Sequence, residues 1–524
     1  MSKWWRGGVL YEIYPRSWQD SDGDGIGDLP GIVSRLDHLA WLGVDGIWLN
    51  PITRSPDRDW GYDVSDYLDV HPDLGTLADA DELIQEAATR GIAVVLDVVP
   101  AHTSAEHAWF ADARRSRSSP YRDYYVWSPP GARGGPPNNW LSYFGGPAWT
   151  LDGPTGEYYL HNFSRHQPQL NWWNPAVRDE FDGIFRFWLD RGVAGFRLDA
   201  LQALVHDREL RDNPPAGPED TGTEQRLGQG FAFSGSQPGA HEVIRRWRRL
   251  VRAYEPPRLL FGETWVPTPE RLAAYYGNGS DELHVAWNLP FLQAPFEADA
   301  LRGVVERTLA GLPPGATPAW AMSTHDLEGR AATRWCEGHE GAIRCALLML
   351  LTLPGLSILY YGDEIGMVQP PAETLEAAPV DAPEEGRRDA SRTPMQWDET
   401  PGAGFTVSPH PWLPTGDPTR ASVAGQRDDP GSVLRLCRDL IAVRRSEPAL
   451  VDGATRFLPA PPGILVWERG ETVAIALNLA DEPQWLAMHG TIMICTDRTR
   501  DGEQLSGRLE LRPREGAVIR RQTV

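Results

Sequence analysis

The stretch AVRDEFDGIFRFWLDRGVAGFRLDA, residues 176 to 200, runs from a helical pattern through a glycine into a short apolar run. Its first part repeats apolar residues at helical spacing and closes at Gly192, a C-cap signal. VAGFRLDA then reads as a buried strand. Within that strand Arg197 and Asp199 are two residues apart and therefore share a face. Two opposite charges on one face of a buried strand must serve each other or a ligand.

The same rhythm extends along the chain. Seven further apolar runs, GVLYEIYP (8–15), VDGIWLN (44–50), IAVVLDVV (92–99), RLLFGE (258–263), LHVAWN (283–288), AWAMSTHD (319–326) and LSILYYGDE (356–364), make eight candidate strands, most followed by helical patterns such as LADADELIQEAATRG. Eight strand-then-helix units predict an α/β fold, a (β/α)8 TIM barrel occupying residues 1–103 and 173–449. The stretch 104–172 is rich in Pro, Gly, Tyr and Trp and too long for a simple crossover, so it is expected to be a subdomain inserted after strand 3. From residue 450 to 524, alternating patterns such as ILVWERGETVAIALNLA predict a C-terminal antiparallel β-sandwich domain.

Composition narrows the function. At 524 residues and 41% hydrophobic, the chain can bury a large core without disulfides. Its four cysteines, Cys336, Cys345, Cys437 and Cys495, have no metal-ligand spacing and read as structural thiols of a reducing, cytoplasmic compartment. The N-terminus lacks the apolar core of a secretory signal. The longest apolar run, CALLMLLTLPGLSILYY, is broken by Pro354 and Gly355, so a buried helix and a strand are expected there, not a membrane span. A net charge of −22 argues against nucleic acid and anionic membranes. A neutral or cationic small molecule fits better.

In a barrel, catalytic groups sit at the carboxyl ends of the strands. Polar residues close four of the apolar runs: Asp97 with His102 beyond it, Arg197 with Asp199, Glu263, and His325 with Asp326. An isolated Asp at a strand end is most often a helix N-cap. Several carboxylates converging on one rim suit glycosidic bond cleavage, with one ionised as nucleophile and one protonated as acid. Arg197 would keep Asp199 ionised and oriented.

The segments DVVPAH (97–102), GFRLDA (195–200), GETW (262–265) and STHD (323–326) resemble, in order and spacing, the four signature regions of the α-amylase family, glycoside hydrolase family 13. QPQLNWWNP (167–175) and SRTPMQWD (391–398) resemble its α-glucosidase and oligo-1,6-glucosidase subgroup. The resemblance implies Asp199 as nucleophile, Glu263 as general acid/base and Asp326 as the third carboxylate. It places Asp59, Tyr62, His102, Arg197, His325 and Arg392 around the bound sugar, with an Asp and Arg pair closing the pocket for exo attack on a terminal glucose. The implied activity is a retaining α-glucosidase acting on short α-glucosides such as maltose, with transglucosylation. The alternatives are a sucrose isomerase, sucrose hydrolase or trehalose synthase type of relative, or an oligo-1,6-glucosidase. Non-catalytic relatives that resemble transporter subunits fit poorly with an intact carboxylate trio.

No cofactor is expected for the chemistry. DSDGDGIGD (20–28) offers Asp20, Asp22, Asp24 and Asp28 as oxygen donors for Ca²⁺ or Mg²⁺. It is not an EF-hand loop, because its twelfth position is Gly31 in place of Glu. The resemblance implies a structural cation held by these aspartates and the carbonyl of Ile26. Two positions depart from the family pattern: Ala101 stands where Asn is usual, and Thr324 precedes His325 where Asn is common. Ala200, directly after Asp199, resembles members that favour α-1,4 links.

Overall fold

The computed structural model describes residues 3–376 and 388–522. Eight parallel strands form one sheet: β1 (Val9–Ile13), β2 (Gly46–Leu49), β3 (Ala93–Val98), β4 (Gly195–Leu198), β5 (Leu259–Gly262), β6 (Val285–Ala286), β7 (Ala319–Ala321) and β8 (Leu356–Tyr360). Their order is β6-β5-β4-β3-β2-β1-β8-β7. This is the ring sequence of a (β/α)8 barrel, and all eight candidate strands belong to it. The strands are shorter than the apolar runs that predicted them. In the run 319–326 only the first three residues are strand, and the polar tail turns into the loop that carries Ser323 to Asp326.

Alternation along the strands explains where the polar groups sit. Leu10, Trp48, Val95, Phe261, Val285, Ala321 and Ile358 share a buried cluster inside the barrel. Two residues after Leu10 and Val95 on the same faces come Glu12 and Asp97. On β4 the corresponding inward positions are Gly195 and Arg197. A Cβ at Gly195 would meet the Leu259 carbonyl oxygen at 2.4 Å, so only glycine fits there. The register sets Asp97 directly beside Arg197.

The helices form where the patterns placed them. Thr76 and Asp79 make a capping box for helix α1 (Leu77–Thr89). Asn174 caps α2 (Pro175–Asp190), with proline in its first turn. Gly192, just past its end, is left-handed at φ +107°. The run from Cys345 splits as its Pro-Gly predicts, into α5 (Glu340–Thr352), preceded by α3 (Gly239–Val251) and α4 (Ala298–Gly311), and strand β8. No described helix is long and apolar enough to cross a membrane.

After β3, the strands Trp127–Ser128, Trp149–Asp152 and Glu157–Leu160 make a small antiparallel sheet. At the C-terminus a six-stranded antiparallel sheet and a two-stranded ribbon, Gln484–Leu486 with Leu509–Leu511, share one apolar core.

Candidate active site

A cavity of about 220 Å³ opens at the carboxyl ends of the barrel strands, and Asp199, Glu263, Asp326, Asp59, Tyr62 and His102 all line it. Arg197 lies beneath them, 2% exposed. Its Nη1 donates to Asp199 Oδ1 at 2.7 Å and to Asp97 Oδ2 at 2.9 Å, and its Nη2 lies 2.9 Å from Glu263 Oε2. One guanidinium, packed against the Trp48 and Tyr62 rings, therefore joins three carboxylates from three strands. The opposite charges of GFRLDA serve each other as well as the cavity.

The turn after β4 aims a backbone donor. Ala200 is left-handed, at φ +45°, and its N–H donates to Glu263 Oε2 at 2.8 Å. A non-glycine residue in this region costs about 1–3 kcal/mol and is held by its surroundings, often at a functional site. Its methyl packs with Ala101 and Ala203. Ala101, the departure in the first signature region, thus belongs to the wall of small residues behind Asp199. Glu263 Oε1 accepts a 2.5 Å hydrogen bond from Trp265 Nε1.

On the far side, His325 Nδ1 lies 2.7 Å from Glu12 Oε1, and its Nε2 lies 3.0 Å from Asp326 Oδ2 and 2.7 Å from the Tyr62 hydroxyl. The ring stacks on Tyr62 with 3° between planes. His102 hydrogen-bonds the Tyr62 carbonyl oxygen through Nε2 at 2.9 Å.

One expectation is corrected. The arginine that closes on Asp59 is Arg388, with Nη2 at 2.7 Å from Asp59 Oδ1 and Nη1 at 2.9 Å from Asp326 Oδ1. Arg392 is 1% exposed and sits behind the wall. Its Nε donates to the His325 carbonyl at 2.9 Å, Nη2 lies 3.4 Å from Asp326, and the guanidinium lies over Tyr14. Arg392 positions Asp326 and leaves the cavity to Arg388. The sequence reading also missed Gln167, whose Nε2 donates to Asp59 Oδ2 at 2.9 Å, Glu12 behind His325, and an aromatic wall of Tyr143, Phe144 and Phe163. Gln167 opens the QPQLNWWNP motif and Arg388 lies three residues before SRTPMQWD, and those positions were the available signal.

Burial and charge set the protonation pattern. Burial pushes Asp199 well above the ordinary carboxylate range; Arg197 opposes this, while Glu263, Asp97 and Asp326 add to it. Asp97 is raised by burial to about 6, again against Arg197. Asp97 and Asp199 face the same guanidinium, and each raises the other's preference for its neutral form. Asp326 behaves oppositely: burial works against its ionised form, but His325, Arg388 and Arg392 outweigh it and hold the acid well below the usual range. His102 is lowered by burial to about 4 and stays neutral.

In the loop before helix Leu29–Ser34, carboxylate oxygens of Asp20, Asp22 and Asp24 lie within 4.8 Å of one another, a donor set that fits a hard cation. Asp28 stands apart from this trio. Its Oδ1 accepts the Gly31 N–H at 2.6 Å as a helix cap, and its Oδ2 accepts the Ser21 N–H and hydroxyl.

The family model of the α-amylase catalytic domain matches residues 12–453. The chain belongs to the α-amylase family. This family member is 40% identical over 500 residues to a probable alpha-glucosidase of Rhizobium meliloti (strain 1021), covering 91% of this chain and 90% of that one. Among solved structures, it superposes on the alpha-glucosyl transfer enzyme XgtA with a TM-score of 0.90 at 38% identity, covering 99% and 100% of the two chains. On the trehalulose synthase MutB from Pseudomonas mesoacidophila MX-45 the TM-score is 0.91 at 30% identity, over 100% of each chain. The protein is a glycoside hydrolase of the α-glucosidase subgroup.

Proposed function

We propose that the enzyme is a retaining, exo-acting α-glucosidase that releases terminal non-reducing glucose from short α-1,4-glucosides such as maltose, with transglucosylation as a side path. The observation that carries this is the Arg388 bridge from Asp59 to Asp326, which closes one end of a small cavity whose base is Asp199 and Glu263 on one guanidinium. A closed far end admits a chain terminus and no further sugar.

The reaction requires Glu263 as the acid and Asp199, paired with Arg197, as the ionised nucleophile. Asp199 attacks the anomeric carbon while Glu263 protonates the leaving oxygen, giving a covalent glucosyl-enzyme. Glu263 then takes a proton from water or from a sugar hydroxyl as either attacks. The charged Asp326, with Tyr62 and the two histidines, grips the distorted ring. Similarity to a glucosyl transfer enzyme and a trehalulose synthase supports the transfer and isomerising alternatives. Product analysis decides between these readings. With maltose, the first product is expected to be α-glucose, with trisaccharides at high concentration and a higher kcat/KM than for isomaltose. An isomerised disaccharide as the main product from sucrose, or β-glucose from maltose, sinks the reading.

Arg388→Lys is expected to lower kcat/KM about tenfold to a hundredfold, the worth of a charge-assisted hydrogen bond. Arg392→Lys is expected to act chiefly on melting temperature, through its buried contacts. A larger loss of kcat/KM in Arg392→Lys would return the substrate-gripping role to that residue.

Four buried free thiols, Cys336, Cys345, Cys437 and Cys495, suit a reducing, cytoplasmic setting. A Ca²⁺ or Mg²⁺ ion held by Asp20, Asp22 and Asp24, with the Ile26 carbonyl, would brace the loop between β1 and the following helix, while Asp28 caps that helix. EDTA is then expected to lower the melting temperature by mass action, with initial rates at low temperature unaffected. Immediate loss of activity without a thermal shift would place the ion in the chemistry instead.

A further inference from the structure

The barrel's opposite end carries a charge pattern at odds with the acidic chain. Arg258 directly precedes β5, His284 directly precedes β6, and Arg6 lies just before β1, while Arg248 and Arg252 stand at the C-terminal end of α3. With Lys3 they line a pocket of about 330 Å³ whose wall includes one carboxylate, Glu255. It lies at the amino ends of the strands, away from the catalytic mouth.

None of these cations makes a salt bridge with a carboxylate among the described residues. Arg248 is 6% exposed; its Nη1 donates to the Glu282 carbonyl at 2.7 Å, and its Nε has no partner. The buried Nε of Arg258 is likewise unpartnered. His284 Nδ1 accepts the Leu260 N–H at 3.0 Å, which leaves the ring hydrogen on Nε2 as a donor, and the ring meets Trp5 edge-on at 4.9 Å. Burial, with Arg248, Lys3, Arg252 and Arg6 around it, holds this histidine well below its usual range and so neutral. Burial and Arg252 also lower Arg248, to about 10, although the nearby Asp281 carboxylate works in the other direction.

A buried guanidinium without a carboxylate in salt-bridge contact is costly, and crowding like charges adds to the cost. The missing partner is an anion. Several guanidinium forks converging with one neutral N–H donor match a tetrahedral oxyanion of double charge better than a single carboxylate. We propose that this pocket binds a phosphate group, free or on a small ester, held by Arg248, Arg252 and Arg258 with His284 as donor. Binding would tie the N-terminal segment to α3 and to the starts of β5 and β6.

The test titrates the full chain with inorganic phosphate, and in a second arm with glycerol 3-phosphate, against sodium chloride of equal ionic strength, following heat and melting temperature. Saturable heat and a rise in melting temperature beyond chloride are expected. Arg248→Gln should weaken binding about tenfold or more. If that variant does not fold, the double variant Arg6→Ala/Arg252→Ala, at exposed positions, carries the same expectation. Tighter binding of the ester assigns the pocket to phosphorylated metabolites, and tighter inorganic phosphate to the free ion. Absence of saturable binding in both arms, or equal responses from wild type and the double variant, overturns the proposal.

Discussion

Asp199→Asn is expected to lower kcat by more than about a thousandfold, since deleting a nucleophile costs several powers of ten. The protein should remain folded, because Asn keeps the shape and can still accept from Arg197. Melting temperature supplies an independent readout. Burial raises the folded pKa of Asp199 above that of an unfolded chain, so the ionised group subtracts stability as pH rises. Removing it should leave the melting temperature equal or higher at pH 8, a trade of stability for activity. A variant that keeps more than about one part in a thousand of the rate would remove Asp199 from the nucleophile role.

Arg197→Met has the second large effect, on both fold and rate. It leaves Asp97, Asp199 and Glu263 without the cation that joins them, and breaking such a buried network costs about 3–5 kcal/mol. Loss of nucleophile orientation should cost about a hundredfold in kcat. The stability deficit has a pH signature. Asp97 sits at about 6 in the folded protein and near 3.9 in an unfolded chain, so it already costs stability between about pH 4 and pH 6. Without Arg197 its folded value moves higher, and the gap in melting temperature from wild type should widen from pH 5 to pH 8. A gap that stays constant across that range would mean that Arg197 acts by packing alone.

What the sequence determined by itself is local. Short apolar runs located all eight barrel strands, and the polar residues that close four of them include Asp199, Glu263 and Asp326, because a strand end is written in consecutive residues. Gly192 marked a helix end for the same reason. The arrangement of the pocket was decided elsewhere. Asp59 meets Arg388 across 329 positions, and Glu12 meets His325 across 313. The segment RRDASRTPMQWD, from position 387, offers Arg388 and Arg392 four residues apart, in a loop without periodicity to say which one faces the cavity. Only the packed loop settles it: Arg392 is drawn beneath the wall by the His325 carbonyl and the Tyr14 ring, and Arg388 is left beside Asp59. Loop paths follow from the surfaces they pack against, and those surfaces exist only once the barrel has formed.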